Sequence, residues 1–157
     1  MFPCEPDAKR PLTRNGHWDA PTDPRAIERW WQRWPTANVG IPTGKKSGLV
    51  ILDVDLDAGG LESLAMLEGA SVPAPKTARA RTGGGGIHVF FRYPGSTEIR
   101  NSAGLLGPGL DIRGEGGYVV VPPSRPQGPY QGVDRSPLAE AWWLIERLTE
   151  RDGATLF

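Results

Sequence analysis

The chain has 157 residues with a formal net charge of zero, and its 21 glycines and 16 prolines predict one domain (1–157) of extended segments and turns, not a helical bundle. A single cysteine excludes an internal disulfide, and with only two histidines present we expect no zinc site. No apolar stretch approaches the ~20 residues of a membrane span, and no signal peptide is recognisable, so we expect a cytoplasmic protein without a membrane partner.

The first half of the chain predicts a strand, a helix and two further strands. Phe2 to Cys4 indicates an opening strand, and Asp23-Pro24 suits the N-cap and first position of a helix. In that helix Ile27, Trp30, Trp31 and Trp34 follow at helical spacing, which favours a core-facing stripe over a base-stacking platform. The two strands are predicted at residues 38–41 and 49–55.

The second half predicts a modest helix at 61–68, strands at 78–82, 87–93, 110–113 and 118–121, and a final helix at 136–151. Gly114 to Gly117 is typical of a hairpin turn between the last two strands. In the final helix an apolar stripe is expected to face the core, formed by Leu138, Ala141, Trp142, Ile145 and Leu148. Strands therefore outnumber helices in the predicted fold.

Three aspartates are the most informative residues. Asp53 and Asp55 end an apolar strand, where alternation points both side chains to one face about 7 Å apart. Asp111 follows Leu110 in a later strand. Clustered carboxylates require a cation, and hard divalent ions such as Mg²⁺ prefer oxygen ligands. This pattern predicts a metal site; the alternative is that all three are solvated strand ends.

A glycine run and two cationic side chains suggest phosphate contact. The amides of Gly85 and Gly86 could approach an anion, and His88 stands just inside the next strand. The alternatives are that the glycines form a flexible hinge and that His88 is hydrogen-bonded within the core. Arg113 shares a strand face with Asp111, where it could orient that carboxylate or meet a phosphate.

Two other motifs are rejected by spacing. Gly40 to Ser47 resembles a P-loop but has three residues between its glycines instead of four. Asp53 to Leu64 resembles a calcium loop but lacks its glycine and its final glutamate.

The neutral total charge conceals a division along the chain. Residues 51–75 carry only acidic charges, while the flanking segments are net basic. Clustering of ordinary surface charge explains this equally well. The basic side chains that could contact a nucleic-acid backbone or a triphosphate are Lys9, Arg10, Lys45, Lys46, Arg79, Arg81 and Arg100.

The order of these motifs resembles a known superfamily. Asp53-Val54-Asp55, Gly86-Ile87-His88 and Leu110-Asp111 resemble the three signature motifs of the archaeo-eukaryotic primases. More closely, the chain resembles the amino-terminal domain of bifunctional DNA primase/polymerases (prim-pol) of plasmids, phages and other mobile elements. Further carriers are Lys9-Arg10-Pro11, Asn38 to Gly44 and Gly117 to Ser124. The resemblance spans residues 3–130.

This resemblance implies an α+β fold in which a small amino-terminal α/β module packs against an RRM-like palm. It implies that Asp53, Asp55 and Asp111 are catalytic and bind two Mg²⁺ or Mn²⁺ ions. It also implies that His88 contacts the phosphates of the incoming nucleotide, with Gly85, Gly86 and Arg113 nearby.

The implied function is a template-dependent nucleotidyltransferase, a DNA primase or DNA polymerase. Its implied partners are dNTPs or NTPs, a single-stranded DNA template, a primer and a replicative helicase on another chain or segment. Relatives often carry a zinc-binding insertion and further domains. We expect neither here, because this chain lacks the zinc ligands and the length, so primer extension is better supported than primer initiation. Two alternatives stay open: a non-catalytic nucleotide or single-stranded DNA-binding module, and a metal-dependent nuclease.

Overall fold

The computed structural model describes residues 1–69 and 72–152, with side chains through residue 150. Its helices are α1 (Pro24–Arg33), α2 (Gly60–Glu68), α3 (Trp142–Asp152) and a 3-10 helix at Gly16–Asp19. Its strands are β1 (Phe2–Cys4), β2 (Asn38–Pro42), β3 (Leu49–Val54), β4 (Arg79–Arg81), β5 (Ile87–Arg92), β6 (Ser102–Ala103), β7 (Leu110–Arg113), β8 (Tyr118–Val121), β9 (Gln131–Asp134) and β10 (Ala139–Glu140). The protein is therefore an α+β protein with few helices.

The strands form two sheets. The smaller has the order β1-β2-β8, and the larger has the order β6-β7-β3-β5-β4-β9. Pairing is antiparallel throughout these two paths, while β10 pairs in parallel with the end of β5. β3 thus lies between β5 and β7 inside the larger sheet, and its residues Ile51 to Val54 are paired on both sides.

One face of the larger sheet packs on the helices. Val50, Leu52 and Val54 alternate along β3 and are fully buried with apolar residues of β5, β7, α2 and α3. Because side chains alternate across a strand, the intervening residues Ile51 and Asp53 point to the opposite face. The helix-packed core therefore fixes which residues of β3 can form a site.

A second apolar cluster lies at the smaller sheet. It contains Phe2, Cys4 and Val120 from its strands, together with Ala20 and Tyr130. Helix α1 contacts β1 from outside. Its start is as predicted: the Asp23 carboxylate accepts a hydrogen bond of 3.1 Å from the Arg25 amide, and Pro24 is the first helical residue.

The predicted stripe of α1 is less buried than expected. Ile27, Trp30, Trp31 and Trp34 are all only partly buried, and no residue of α1 is fully buried. Trp30 packs against the smaller cluster. The stripe packs on the smaller, three-stranded sheet and does not enter the main core. The apolar face of the larger sheet is already covered by α2 and α3.

The predicted hairpin between residues 110–113 and 118–121 is wrong. β7 belongs to the larger sheet and β8 to the smaller, so Gly114 to Gly117 crosses between sheets. Thr43 holds this crossing: its hydroxyl donates to the Gly114 carbonyl at 2.6 Å, and its amide donates to the Gly117 carbonyl at 2.9 Å. The local turn is present, with the Gly117 amide donating to the Gly114 carbonyl at 3.2 Å, but it joins strands of different sheets.

The predicted final helix begins late. Residues 139 and 140 form β10, and α3 starts at Trp142. The end of β5 offers a free pairing edge beyond β4, and the Ala139 amide donates to the Thr77 hydroxyl at 3.0 Å. The later start changes the buried face: Trp143 and Leu144 enter the core, while Trp142 is 59% exposed. Ala141 and Ile145 are buried as predicted.

The structure adds short elements that the sequence did not predict: the 3-10 helix, β6, β9 and β10. None of the helices in the described ranges has the length and apolar character to cross a membrane.

Candidate active site

The site is built on a row of residues across the centre of the larger sheet. The strand register places Asp53 of β3 directly beside His88 of β5 on one side and Asp111 of β7 on the other. Directly paired residues share a face. The next neighbours in the row are Ala80, beside His88, and Ala103, beside Asp111.

Arg113 lies two residues beyond Asp111 on the same face of β7. One of its terminal nitrogens is 3.0 Å from Asp111 Oδ2 and 3.5 Å from Asp53 Oδ2. The guanidinium thus bridges two carboxylates of neighbouring strands. The sequence left open whether Arg113 orients Asp111 or meets a phosphate, and in this structure it contacts both carboxylates.

Asp53 is the carboxylate at the centre of this charge arrangement. Burial raises its pKa, but the His88 ring, with Nε2 3.4 Å from Asp53 Oδ1, lowers it again, as do the positive charges of Arg113 and Lys9. The result is a pKa below the ordinary aspartate value. Asp53 is therefore ionised at neutral pH and can act as an oxygen ligand.

His88 is almost completely enclosed, with its side chain 4% exposed. Its Nε2 faces Asp53, while its Nδ1 is buried and has no hydrogen-bond partner among the described residues. His88 is thus a buried residue paired with Asp53 that leaves one ring atom unpaired, and its phosphate contact stays a prediction beside the alternative of a core histidine.

Asp55 follows the end of β3 and is exposed. Its amide donates to the Gly109 carbonyl at 2.8 Å, which fixes the backbone, and its carboxylate accepts a hydrogen bond of 3.0 Å from the Asp57 amide. Asp53, Asp55 and Asp111 all line one cavity of about 370 Å³ together with Arg113, Lys9 and Gly86. We call it the acidic cavity.

The three carboxylates suit a hard divalent cation by their chemistry, since all donors are oxygens on or beside rigid strands. In their present positions, however, no three His, Cys, Asp or Glu side chains within the described ranges are grouped closely enough to hold a metal ion. In this arrangement the Arg113 guanidinium contacts both Asp53 and Asp111. A metal ion that bound both carboxylates would compete with this guanidinium for their oxygens.

The glycine run has a structural explanation as the turn between β4 and β5. A Cβ on Gly86 would collide with the Val54 carbonyl, and Gly85 has a φ of +90°. The Gly85 amide donates to the Thr82 carbonyl at 3.0 Å, so it is engaged within the turn. Gly84 and Gly86 line the acidic cavity, while a phosphate contact by Gly85 or Gly86 stays a prediction.

A second cavity of about 310 Å³ adjoins the first and shares Lys9, Asp53 and Arg113 with it. Its walls come from both sheets and include His17, His88 and Tyr118, so we call it the histidine cavity. Lys9 was one of seven basic candidates and is the one that lines both cavities. By contrast, Arg10, Arg79 and Arg100 are paired with Glu5, Glu68 and Glu98.

Sequence reasoning missed His17, Tyr118, Asn101 and Tyr130, which all line the histidine cavity. His17 belongs to none of the motifs in the sequence. In the structure its ring stacks on Tyr118 with centroids 5.5 Å apart, across a separation of about a hundred residues. No local pattern predicts that contact.

The comparisons with known proteins agree with the motif order. The family model for the amino-terminal domain of bifunctional DNA primase/polymerases (Prim-Pol) matches residues 1–142 of the 157-residue chain. A search of curated proteins returned no match. The matched region includes both sheets and every residue of the two cavities named above. The chain therefore belongs to the bifunctional DNA primase/polymerase family.

Proposed function

We propose that this protein is a template-dependent nucleotidyltransferase that extends a DNA primer, or starts one, on a single-stranded template. One observation carries the proposal: Asp53, Asp111 and His88 form a continuous row on the central strands and line two adjoining cavities. In this proposal the larger sheet corresponds to an RRM-like palm and the smaller sheet to the amino-terminal module.

Asp53, Asp55 and Asp111 would hold two divalent cations, Mg²⁺ or Mn²⁺. When bound, such ions activate the attacking 3′-hydroxyl and neutralise the triphosphate and the leaving pyrophosphate. The chain prepares for this by keeping Asp53 ionised through His88 and Arg113. Asp55 and Asp111 are more accessible, so their carboxylates can adjust to a ligand.

The cationic side of the site would bind the phosphates of a dNTP or NTP. His88 offers a buried ring nitrogen that lacks a partner among the described residues, and Arg113 and Lys9 line both cavities. Phosphoryl transfer depends mainly on positioning and charge stabilisation, so no covalent nucleophile is needed. Gly85 and Gly86 would contribute through the turn that places His88. The remaining proposed partners are the template, the primer and a replicative helicase.

A non-catalytic binding module is the second candidate, and the Arg113 bridge favours it. If the guanidinium permanently neutralises Asp53 and Asp111, the site binds anions without metal-dependent chemistry. A metal-dependent nuclease would use the same carboxylates, but it would shorten the DNA strand, whereas a polymerase extends it and a binding module leaves it unchanged.

Primer extension on a labelled primer–template separates these functions. With Mn²⁺ or Mg²⁺ and dNTPs we expect elongation by the wild type and none by Asp111→Asn, which is isosteric but loses the charge. Glu146→Gln, which removes an exposed carboxylate of α3 that lines neither cavity, serves as the control and should extend normally.

Each outcome points to one function. Binding of DNA or nucleotide without elongation under any metal would support the binding module. Shortening of the labelled strand without dNTPs would support the nuclease. Elongation by Asp111→Asn at the wild-type rate would refute the assignment of the carboxylates.

A further inference from the structure

Three aromatic rings lead from the histidine cavity to the protein surface. Tyr118 and His17 line the cavity and stack on each other at 5.5 Å, with an angle of 29° between the rings. The His17 ring lies 4.6 Å from the ring of Trp18 at an angle of 36°. Trp18 itself is 61% exposed. We call Tyr118, His17 and Trp18 the aromatic ladder.

The exposure of Trp18 is not explained by packing. An exposed indole gains little from the core, and Trp18 belongs to neither apolar cluster of buried residues. A flat, exposed aromatic ring that packs on a residue of the cavity wall is suited to stack on another flat ring. Nucleobases of any sequence provide such a face.

Positive charge accompanies the ladder. The Lys46 ammonium donates to the Trp18 carbonyl at 2.7 Å and so caps the 3-10 helix that carries His17 and Trp18. Within the described part of the chain, neither Lys46 nor Arg14 forms an ion pair. The nearby Asp19 carboxylate is instead bonded by Asn15 at 2.9 Å. Two cations are thus available to backbone phosphates.

The ladder also contains a polar atom that lacks a partner. His17 Nε2 is buried and has no hydrogen-bond partner among the described residues. Its ring is partly buried against Tyr118, in the same cavity that His88 lines. A ligand that enters along the ladder would therefore meet a polar group after the exposed indole.

We propose that the aromatic ladder is a stacking platform for bases of single-stranded DNA, with Lys46 and Arg14 contacting its backbone. This inference rests on the proposed function, because it assigns one path of the nucleic acid into the site. The platform continues into the cavity that contains Asp53 and His88, so a strand stacked on Trp18 leads toward the reacting centre. Its combination of stacked rings and unpaired cations matches the chemistry of a single strand.

The test measures binding of a fluorescein-labelled thymidine oligonucleotide by anisotropy, in EDTA and without nucleotide, so that catalysis is not needed. We expect Trp18→Ala to weaken binding about 5- to 150-fold, the range for loss of one base–aromatic stack, and Trp18→Phe to restore most of it. Trp142→Ala is the matched control: Trp142 is 59% exposed, lines neither cavity and should have no effect.

Salt dependence tests the backbone contacts. Lys46→Gln should reduce the slope of log affinity against log salt by about 0.7, while Lys76→Gln, at an exposed lysine outside both cavities, should leave it unchanged. Circular dichroism confirms that each variant is folded.

The proposal is overturned if Trp18→Ala binds the oligonucleotide as well as the wild type does, or no worse than Trp142→Ala. It is also overturned if the variant loses duplex and single-strand binding equally, since the platform is specific to unpaired bases. If only the proposed function fails, binding of the oligonucleotide still depends on Trp18, but no metal ion or dNTP yields an extended primer.

Discussion

Neutralising Arg113 tests whether the two bridged carboxylates depend on a cation. Asp53 Oδ2 and Asp111 Oδ2 contact the same nitrogen, so the two oxygens are no more than about 6.5 Å apart. At an effective dielectric constant of about 20, two such charges repel by about 2.5 kcal/mol. Because both side chains are partly exposed, we reduce this to about 1–2 kcal/mol.

We therefore expect Arg113→Gln to lower the melting temperature by about 2–8 °C in low salt without divalent ions. Arg92→Gln is the matched control, because it breaks an Arg–Glu pair of 2.9 Å on the same sheet whose side chains are 59% and 52% exposed. Such exposed pairs contribute little, so we expect the control to melt within about 1–2 °C of the wild type.

Mg²⁺ then distinguishes a metal site from a permanent arginine bridge. In Arg113→Gln no guanidinium competes for the carboxylate oxygens, so added Mg²⁺ should raise the melting temperature more than in the wild type. The double variant Asp111→Asn/Arg113→Gln should lose this increment. Equal melting of Arg113→Gln and Arg92→Gln, or an equal Mg²⁺ effect in all variants, would refute the reasoning.

Three further predictions follow from burial and charge. Burial and, to a lesser extent, Glu5 raise the pKa of Cys4 to about 12, so the thiol should resist a disulfide reagent at about pH 8 until the protein is unfolded; rapid native labelling would contradict this. Burial and then Lys46 lower the pKa of His17, so the unfolded chain takes up a proton first and stability should fall as pH drops below about 6.5. His17→Gln should reduce that slope in thermal melts, and an unchanged slope would count against it. Leu144→Ala, at a fully buried position, should cost about 2–5 kcal/mol in urea unfolding, well above Leu61→Ala at a half-exposed position; equal costs would be inconsistent with the packing.

The site-bearing strands could be predicted from the sequence because their patterns are local. The apolar runs of β3 and β5 and the alternation of apolar and charged residues in β7 identify these strands, and alternation alone places Asp53 and Asp55 on one face. Asp23-Pro24 predicted the start of α1 for the same reason, since capping involves only neighbouring residues.

Pairing between distant strands could not be predicted in this way. Nothing near Gly114 to Gly117 shows that Thr43 will hold this segment or that β8 will leave the larger sheet for β2. The same limit applies to His17, whose stacking partner is Tyr118. The bridging role of Arg113 likewise depends on the register that puts Asp53 beside Asp111.

This register also explains why charges of both signs share one site. Asp53 needs a hydrogen-bond donor and positive charge nearby to stay ionised while buried; His88 supplies the hydrogen bond, and Arg113 and Lys9 supply positive charge. A bare dication would be repelled by these groups, and a bare triphosphate would be repelled by the carboxylates. A triphosphate with bound divalent ions would offer positive ions to the carboxylates and negative phosphates to the cationic side chains. Arg113 could then contact a phosphate in place of the two carboxylates. On electrostatic grounds, we therefore propose that the cavity binds the metal–nucleotide complex better than either component alone.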